Sequence, residues 1–78
     1  GTVGAGSAGA DIGADAAQQT ALTHAGVNAA DTYEMKVERD WDDGRLEYEV
    51  SFKAAGYEYE YKISASDGTI LDFERERD

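Results

Sequence analysis

The sequence has no cysteine and a single histidine. The first absence excludes a disulfide-dense scaffold. Together they leave no evident staple of the kind that small domains use when their cores are thin. No stretch approaches the ~18 consecutive apolar residues of a membrane span, and none has the basic-then-apolar order of a signal segment. Basic residues are scarce as well: seven Lys and Arg stand against 17 Asp and Glu, a formal charge of −10. A field of that sign repels phosphate backbones and anionic membrane surfaces, which argues against nucleic acid as a partner and steers the chain toward basic ones. What is present is one domain's worth of chain, 78 residues. At that size only somewhat more than about 60% of the unfolded surface is buried, so packing alone must supply the stability.

Residues 1–11 are Gly, Ala, Ser and Thr with one Val and a closing Asp, a composition expected of a flexible linker or of what tag removal leaves behind. The stretch Gly4–Gly9 spells G-x-G-x-x-G. A dinucleotide fingerprint needs a strand before it and a βαβ unit around it. No strand precedes this one and the remaining chain is too short for a doubly wound sheet, so it reads as linker. The folded domain is expected over residues 12–78.

The segment IGADAAQQTALTHAGV reads as the only helix. Ala17, Ala21, Leu22 and Ala25 share one stripe at helical spacing, with Gln19, Thr20 and Thr23 facing away. Gly13 is placed to cap the N-terminus, Ile12 to staple back onto Ala17, and Asp15 to meet the positive end of the helix dipole. Gly26 supplies a left-handed stop. A stripe made mostly of alanine lets a helix lie close on a sheet but does not stabilise it alone.

After Asp31 the period becomes two. Tyr33, Met35 and Val37 alternate with Glu34, Lys36 and Glu38; Leu46, Tyr48, Val50 and Phe52 with Glu47, Glu49, Ser51 and Lys53; Tyr57, Tyr59, Tyr61 and Ile63 with Glu58, Glu60 and Lys62. A shorter run, TILDF, follows. DDG at 42–44, AAG at 54–56 and SDG at 66–68 punctuate them. Short turns between alternating strands mean hairpins with one buried face. The expected fold class is therefore α+β: one N-terminal helix packed on a three- to four-stranded antiparallel meander. The tyrosines of YEYEY then form one wall of the core, with their hydroxyls at its wet edge. Pairing Lys53 with Glu58 and Glu49 with Lys62 sets opposite charges across the middle hairpin, puts Phe52 opposite Tyr59 and Val50 opposite Tyr61, and implies a four-residue loop, Ala54–Tyr57. A shift by two residues would oppose Glu49 and Glu60. The outer face is expected to be partly self-neutralising.

Reactive chemistry is hard to assemble from these residues. An EF-hand loop wants glycine at its sixth position and glutamate at its twelfth. Counting from Asp40 brings Gly44 at the fifth, so Asp40, Asp42 and Asp43 read as a hairpin turn. His24 has neither cysteine nor a second histidine beside it, and no metal or other cofactor is expected. Nucleophilic catalysis would fall to Ser7, Ser51, Ser64, Ser66 or a threonine with His24 as a distant base, and no local motif supports that. The carboxylates alternate outward or crowd turns, where nothing tunes them for acid–base work.

The ordered succession of the IGADAA…AL.HAGV helix, Val37 and Glu38, the DDG turn, YEVSF with Tyr48, Val50 and Phe52, GYEYEYKI, and finally Gly68, Ile70 and Leu71 resembles the PepSY domain. That family is named partly after the propeptides of thermolysin-like metallopeptidases. The likeness runs from Ile12 to about Phe73. It departs where the family often has Asp-x-x-Thr-Gly before the last strand: here Ser64 and Asp67 take those places. The resemblance implies a non-catalytic module of bacterial secreted or cell-envelope proteins, often in tandem copies, that inhibits or regulates peptidases or binds proteins. It offers no catalytic residue to carry over. The expected partner is a protein, a peptidase or an envelope component, met at a free sheet edge or at Ala54, Ala55, Gly56 and Tyr57. The other readings are a structural spacer or repeat and a weak acidic cation or ligand binder. An open sheet leaves the chain a monomer or a weak edge-strand dimer, the latter opposed by charge.

Overall fold

The computed structural model describes residues 11–78; the opening segment, including Gly4–Gly9, lies outside them. Helix α1 spans Ala14–Ala25. Gly13, at φ 90°, occupies the N-cap, and its amide donates to Asp11 Oδ1 at 2.8 Å. Gly26 ends the helix in the left-handed region, with its N–H on the Leu22 carbonyl at 2.9 Å. At both ends of the helix the positive φ favours a residue without a Cβ. A short 3-10 turn, Ala29–Asp31, leads into the strands β1 (Tyr33–Asp42), β2 (Arg45–Ala54), β3 (Tyr57–Ser64) and β4 (Ile70–Arg77). They form one antiparallel sheet in the order β1-β2-β3-β4, so the meander has four strands and both β1 and β4 are edges.

The register of the middle hairpin is the expected one: Lys53 opposes Glu58, Glu49 opposes Lys62, Phe52 opposes Tyr59 and Val50 opposes Tyr61. Its loop is tighter than expected. Ala54 and Tyr57 are themselves paired, leaving Ala55 and Gly56 at φ 54° and 84° as a two-residue connection. Asp43 and Gly44 repeat that geometry in the first hairpin at φ 56° and 77°. Two consecutive left-handed residues match the right-handed twist of the flanking strands.

One face of the sheet is sealed. Ala17, Ala21 and Leu22 pack on Tyr48, Val50, Phe52, Ala54, Tyr59, Tyr61, Ile63 and Ala65. The rings stack along the wall: Phe52 on Tyr59 at 5.0 Å between centroids, and Tyr61 on Phe73 at 4.8 Å. Small residues on the helix leave room for large rings on the sheet, and interdigitation of this kind gives a core its density. Tyr59 and Tyr61 are core, as the parity of their strand requires, and Tyr57 packs partly buried against it.

Four details differ from the sequence reading. Tyr33 leaves the apolar face, because β1 steps from the Tyr33–Lys53 pair to the Lys36–Ser51 pair with one residue extra, and Glu34 takes φ 55° there. That bulge turns Tyr33 onto the outer side, where its hydroxyl reaches Asp78 at 3.4 Å. The Tyr61 hydroxyl is not at a wet edge; the residue is 2% exposed and its oxygen bonds His24 Nδ1 at 2.9 Å. Glu47 is 5% exposed although it alternates outward, and its Oε1 has no hydrogen-bond partner among the described residues. Finally, β4 does not stop at Phe73 but runs to Arg77 through Glu74, Arg75 and Glu76.

Candidate functional site

Three surfaces compete for a functional role: the outer face, the margin of the helix layer, and the two edges. The outer face collects most of the acid. Its middle hairpin is charge-matched, and so are the flanking pairs Lys62–Asp72 and Asp42–Arg45, but four other flanking pairs are not. Glu38 opposes Glu49, Asp40 opposes Glu47, Glu58 opposes Glu76 and Glu60 opposes Glu74, four like-charge pairs. Directly opposed like charges destabilise a sheet, so the face is only partly self-neutralising, with Lys62–Asp72 and the Lys36–Glu38 and Lys53–Glu34 bridges offsetting some of the repulsion. Lys36, Glu38, Glu49, Glu60, Lys62 and Glu74 border an open depression of about 360 Å³ on this face. Among the described residues no group of three or more carboxylate, histidine or cysteine side chains is arranged to hold a metal ion. At the tip of the first hairpin, Asp40 spends its carboxylate on the Trp41 amide at 2.9 Å.

The helix margin is held by polar contacts that serve the fold. Asp11 accepts the Tyr48 hydroxyl at 2.7 Å through Oδ1 and Arg39 Nε at 3.2 Å through Oδ2. Composition groups Asp11 with the leading linker, yet it ties the start of α1 to β1 and β2. The Tyr48 hydrogen bond, and then the Gly13 amide, hold its carboxyl below the ordinary range, while the same bond raises the Tyr48 phenol. At the other end of α1, His24 meets Phe73 edge-on at 5.0 Å and bonds Tyr61, whose phenol burial pushes up to about 12. Neither contact brings a carboxylate or a nucleophilic hydroxyl to the imidazole. Helical spacing sets His24, three residues after Ala21, at the margin of the alanine stripe, which is a periodic hint of its bridge; nothing local in the sequence points to Asp11.

The sequence-predicted contact residues sit at the β2–β3 turn. Ala54 is 1% exposed and belongs to the core. Ala55 and Gly56 are exposed, and the Gly56 carbonyl accepts the Asp78 amide at 2.9 Å. Tyr57 is half-buried under Arg75, whose guanidinium lies 4.6 Å from the ring centroid, with Arg77 at 5.8 Å. The structure thus joins part of the predicted turn to β4, a strand whose charged half the sequence reading left out. Beside it, Lys53 bridges Glu34 at 3.4 Å and Asp78 at 3.5 Å, and those carboxylates, Asp78 first, hold its ammonium above the ordinary range.

The edges are the remaining surface. Phe73 on β4, at the rim of the stacked wall, is 40% exposed, and Trp41 on β1 is 69% exposed. Among the described residues no helix is long and apolar enough to cross a membrane.

A single helix laid on a four-stranded meander, tied at its ends by Asp11–Tyr48 and His24–Tyr61, defines the class: a small α+β module whose open assets are surfaces. The chain belongs to the PepSY family, described as the peptidase propeptide and YPEB domain, which it matches over residues 11–74. It is also similar to an uncharacterized protein of Streptococcus pyogenes serotype M6, with 38% identity over 58 residues, 74% of this chain and 45% of that protein. The chain therefore spans about half the length of the curated relative it matches. No solved structure matches it.

Proposed function

We propose that this domain is a non-catalytic protein-binding module of a bacterial secreted or cell-envelope protein, and that it inhibits or regulates a peptidase. Membership of a family described by the peptidase propeptide supports the peptidase half of the reading. The observation that carries the binding half is the open sheet: β1 and β4 have no outer neighbour among the described residues, and an aromatic ring stands exposed on each. Unpaired edges are where extended segments of other proteins add to a sheet. The sole imidazole is engaged with Tyr61 and Phe73, which leaves general-base chemistry without a partner. The test is hydrolysis of a peptide substrate by a secreted thermolysin-like metallopeptidase with the domain in excess. Slowed progress curves support the reading, and unchanged ones overturn its inhibitory part.

A spacer or repeat module is the second reading, favoured by the fact that the matched relative is more than twice as long as the matched segment. It predicts a domain that binds no protein in its own extracellular fraction and serves only to separate its neighbours. The acidic outer face keeps a third reading, weak binding of a cation such as Ca²⁺, open to calorimetry; absence of heat at millimolar concentration removes it.

A further inference from the structure

The β4 edge carries an alternating charge code, Glu74-Arg75-Glu76-Arg77, that no ion pair among the described residues satisfies, although Arg75 and Arg77 lie against the Tyr57 ring. Asp78 donates its amide to Gly56 beside the start of β3. Main-chain groups of an antiparallel strand alternate sides. Glu76, Glu74 and Asp72 therefore turn theirs toward β3, whereas Arg77, Arg75 and Phe73 turn theirs to the free side. The Phe73 amide is already taken by Asp72 Oδ1 at 2.9 Å, which leaves the edge open at Arg75 and Arg77. Side chains alternate as well. Phe73, Arg75 and Arg77 pair with Tyr61, Tyr59 and Tyr57 on the helix-bearing face, while Asp72, Glu74 and Glu76 stand on the outer one. Glu74 and Glu76 meet Glu60 and Glu58 on their inner neighbour, so a counter-charge can approach them directly opposite only from the free edge. Arg75 and Arg77 are exposed and in no ion pair among the described residues, in a chain of charge −10.

We propose that β4 accepts an extended segment of a partner protein as a fifth strand, one whose residues alternate between Lys or Arg on the outer face and Asp or Glu on the helix-bearing face. This rests on the protein-binding reading above and names its surface and the partner's chemistry. The same code rejects a second copy of this chain. Antiparallel pairing of two β4 strands over Asp72–Arg77 keeps each face with itself, so within that stretch Arg meets only Arg or Phe73, and Glu meets only Glu or Asp72. The other edge is less available, because β1 carries a bulge at Glu34, Asp40 covers the Trp41 amide, and Arg39 is occupied by Asp11.

The probe is a synthetic peptide of alternating Lys and Glu, compared with a peptide of the same composition in which the two residues are segregated into blocks. On the intact domain, the alternating peptide should bind more tightly, slow amide exchange at Arg75 and Arg77, and weaken with added salt. The double variant Arg75→Glu/Arg77→Glu should bind it about tenfold more weakly or worse, whereas Arg75→Lys/Arg77→Lys should retain it. Equal binding of the two peptides, no change in exchange on β4, or concentration-dependent dimers that Arg75→Glu abolishes would each overturn the proposal. A peptidase inhibited equally by the wild type and by Arg75→Glu/Arg77→Glu would sink this edge but leave the inhibitory function standing. A peptide bound at β4 with no peptidase inhibited would do the reverse.

Discussion

The two faces of this sheet are made from the same strands, yet they do opposite things. The helix-bearing face gathers Phe52, Tyr59, Tyr61, Val50 and Ile63 into a sealed wall. The outer face sets carboxylate against carboxylate at four pairs. One side supplies the stability that the other side draws down. In a small domain the margin between them is narrow, since total stability is only of the order of 5–15 kcal/mol. The outer-face charges run out to Glu74 and Glu76 on β4.

Substitutions on the two faces should therefore differ in sign as well as in size. The largest effect is expected inside: Phe52→Ala removes a ring stacked on Tyr59 and Tyr61 and should cost about 3–5 kcal/mol, measured by chemical denaturation. If the loss were below about 1 kcal/mol, the wall would not be the source of stability.

Next comes the margin of that wall. Tyr48→Phe removes the hydroxyl that does most to lower the Asp11 carboxyl from its ordinary value of 3.8. A depressed carboxyl stabilises the fold above its unfolded pKa, and the benefit is lost as pH falls through the folded value. Wild type and variant should then differ most near neutral pH and converge as pH drops below about 4. A difference that stays constant across that range would mean the bond does not carry the linkage.

On the outer face the sign reverses. Glu60→Lys turns a like-charge pair with Glu74 into an opposite one and should raise stability by ~0.2–1 kcal/mol, with the gain shrinking in high salt. The smallest effect calibrates the others by belonging to neither face. Ala55 holds φ 54° in the second hairpin, where the first hairpin uses Asp43 at φ 56°. Asn tolerates that region better than Ala, so Ala55→Asn should stabilise by a few tenths up to ~1 kcal/mol, seen as a small rise in melting temperature.

Period and punctuation made most of the architecture legible. The alanine stripe gave the helix and both its glycine ends, and the Lys53–Glu58 and Glu49–Lys62 charge match gave the middle register outright. The misses share a cause: each depends on a residue that breaks a local rule for the benefit of a distant neighbour. The extra residue in β1 that flips Tyr33 leaves no mark in an otherwise regular alternation. Asp11 looks like linker until it is placed beside Tyr48, 37 positions away in sequence. Glu74-Arg75-Glu76-Arg77 contains no apolar residue, so hydrophobic alternation could not announce it as strand, although the charges themselves alternate. The predicted contact turn was only half visible for the same reason, since Arg75 and Arg77 reach it from β4.

The alanine lining of α1 has one more consequence. A helix that inserts mainly methyl groups and one leucine into the core leaves few interlocking side chains to hold it down. Its attachment rests heavily on the bridges at its two ends, Asp11 to Tyr48 and His24 to Tyr61. Such a lid should lift as a unit while β2 and β3 remain paired, giving two tiers of amide protection within one small domain. When it lifts, the stacked rings become a sticky aromatic floor, and the molecule briefly offers solvent its largest apolar surface.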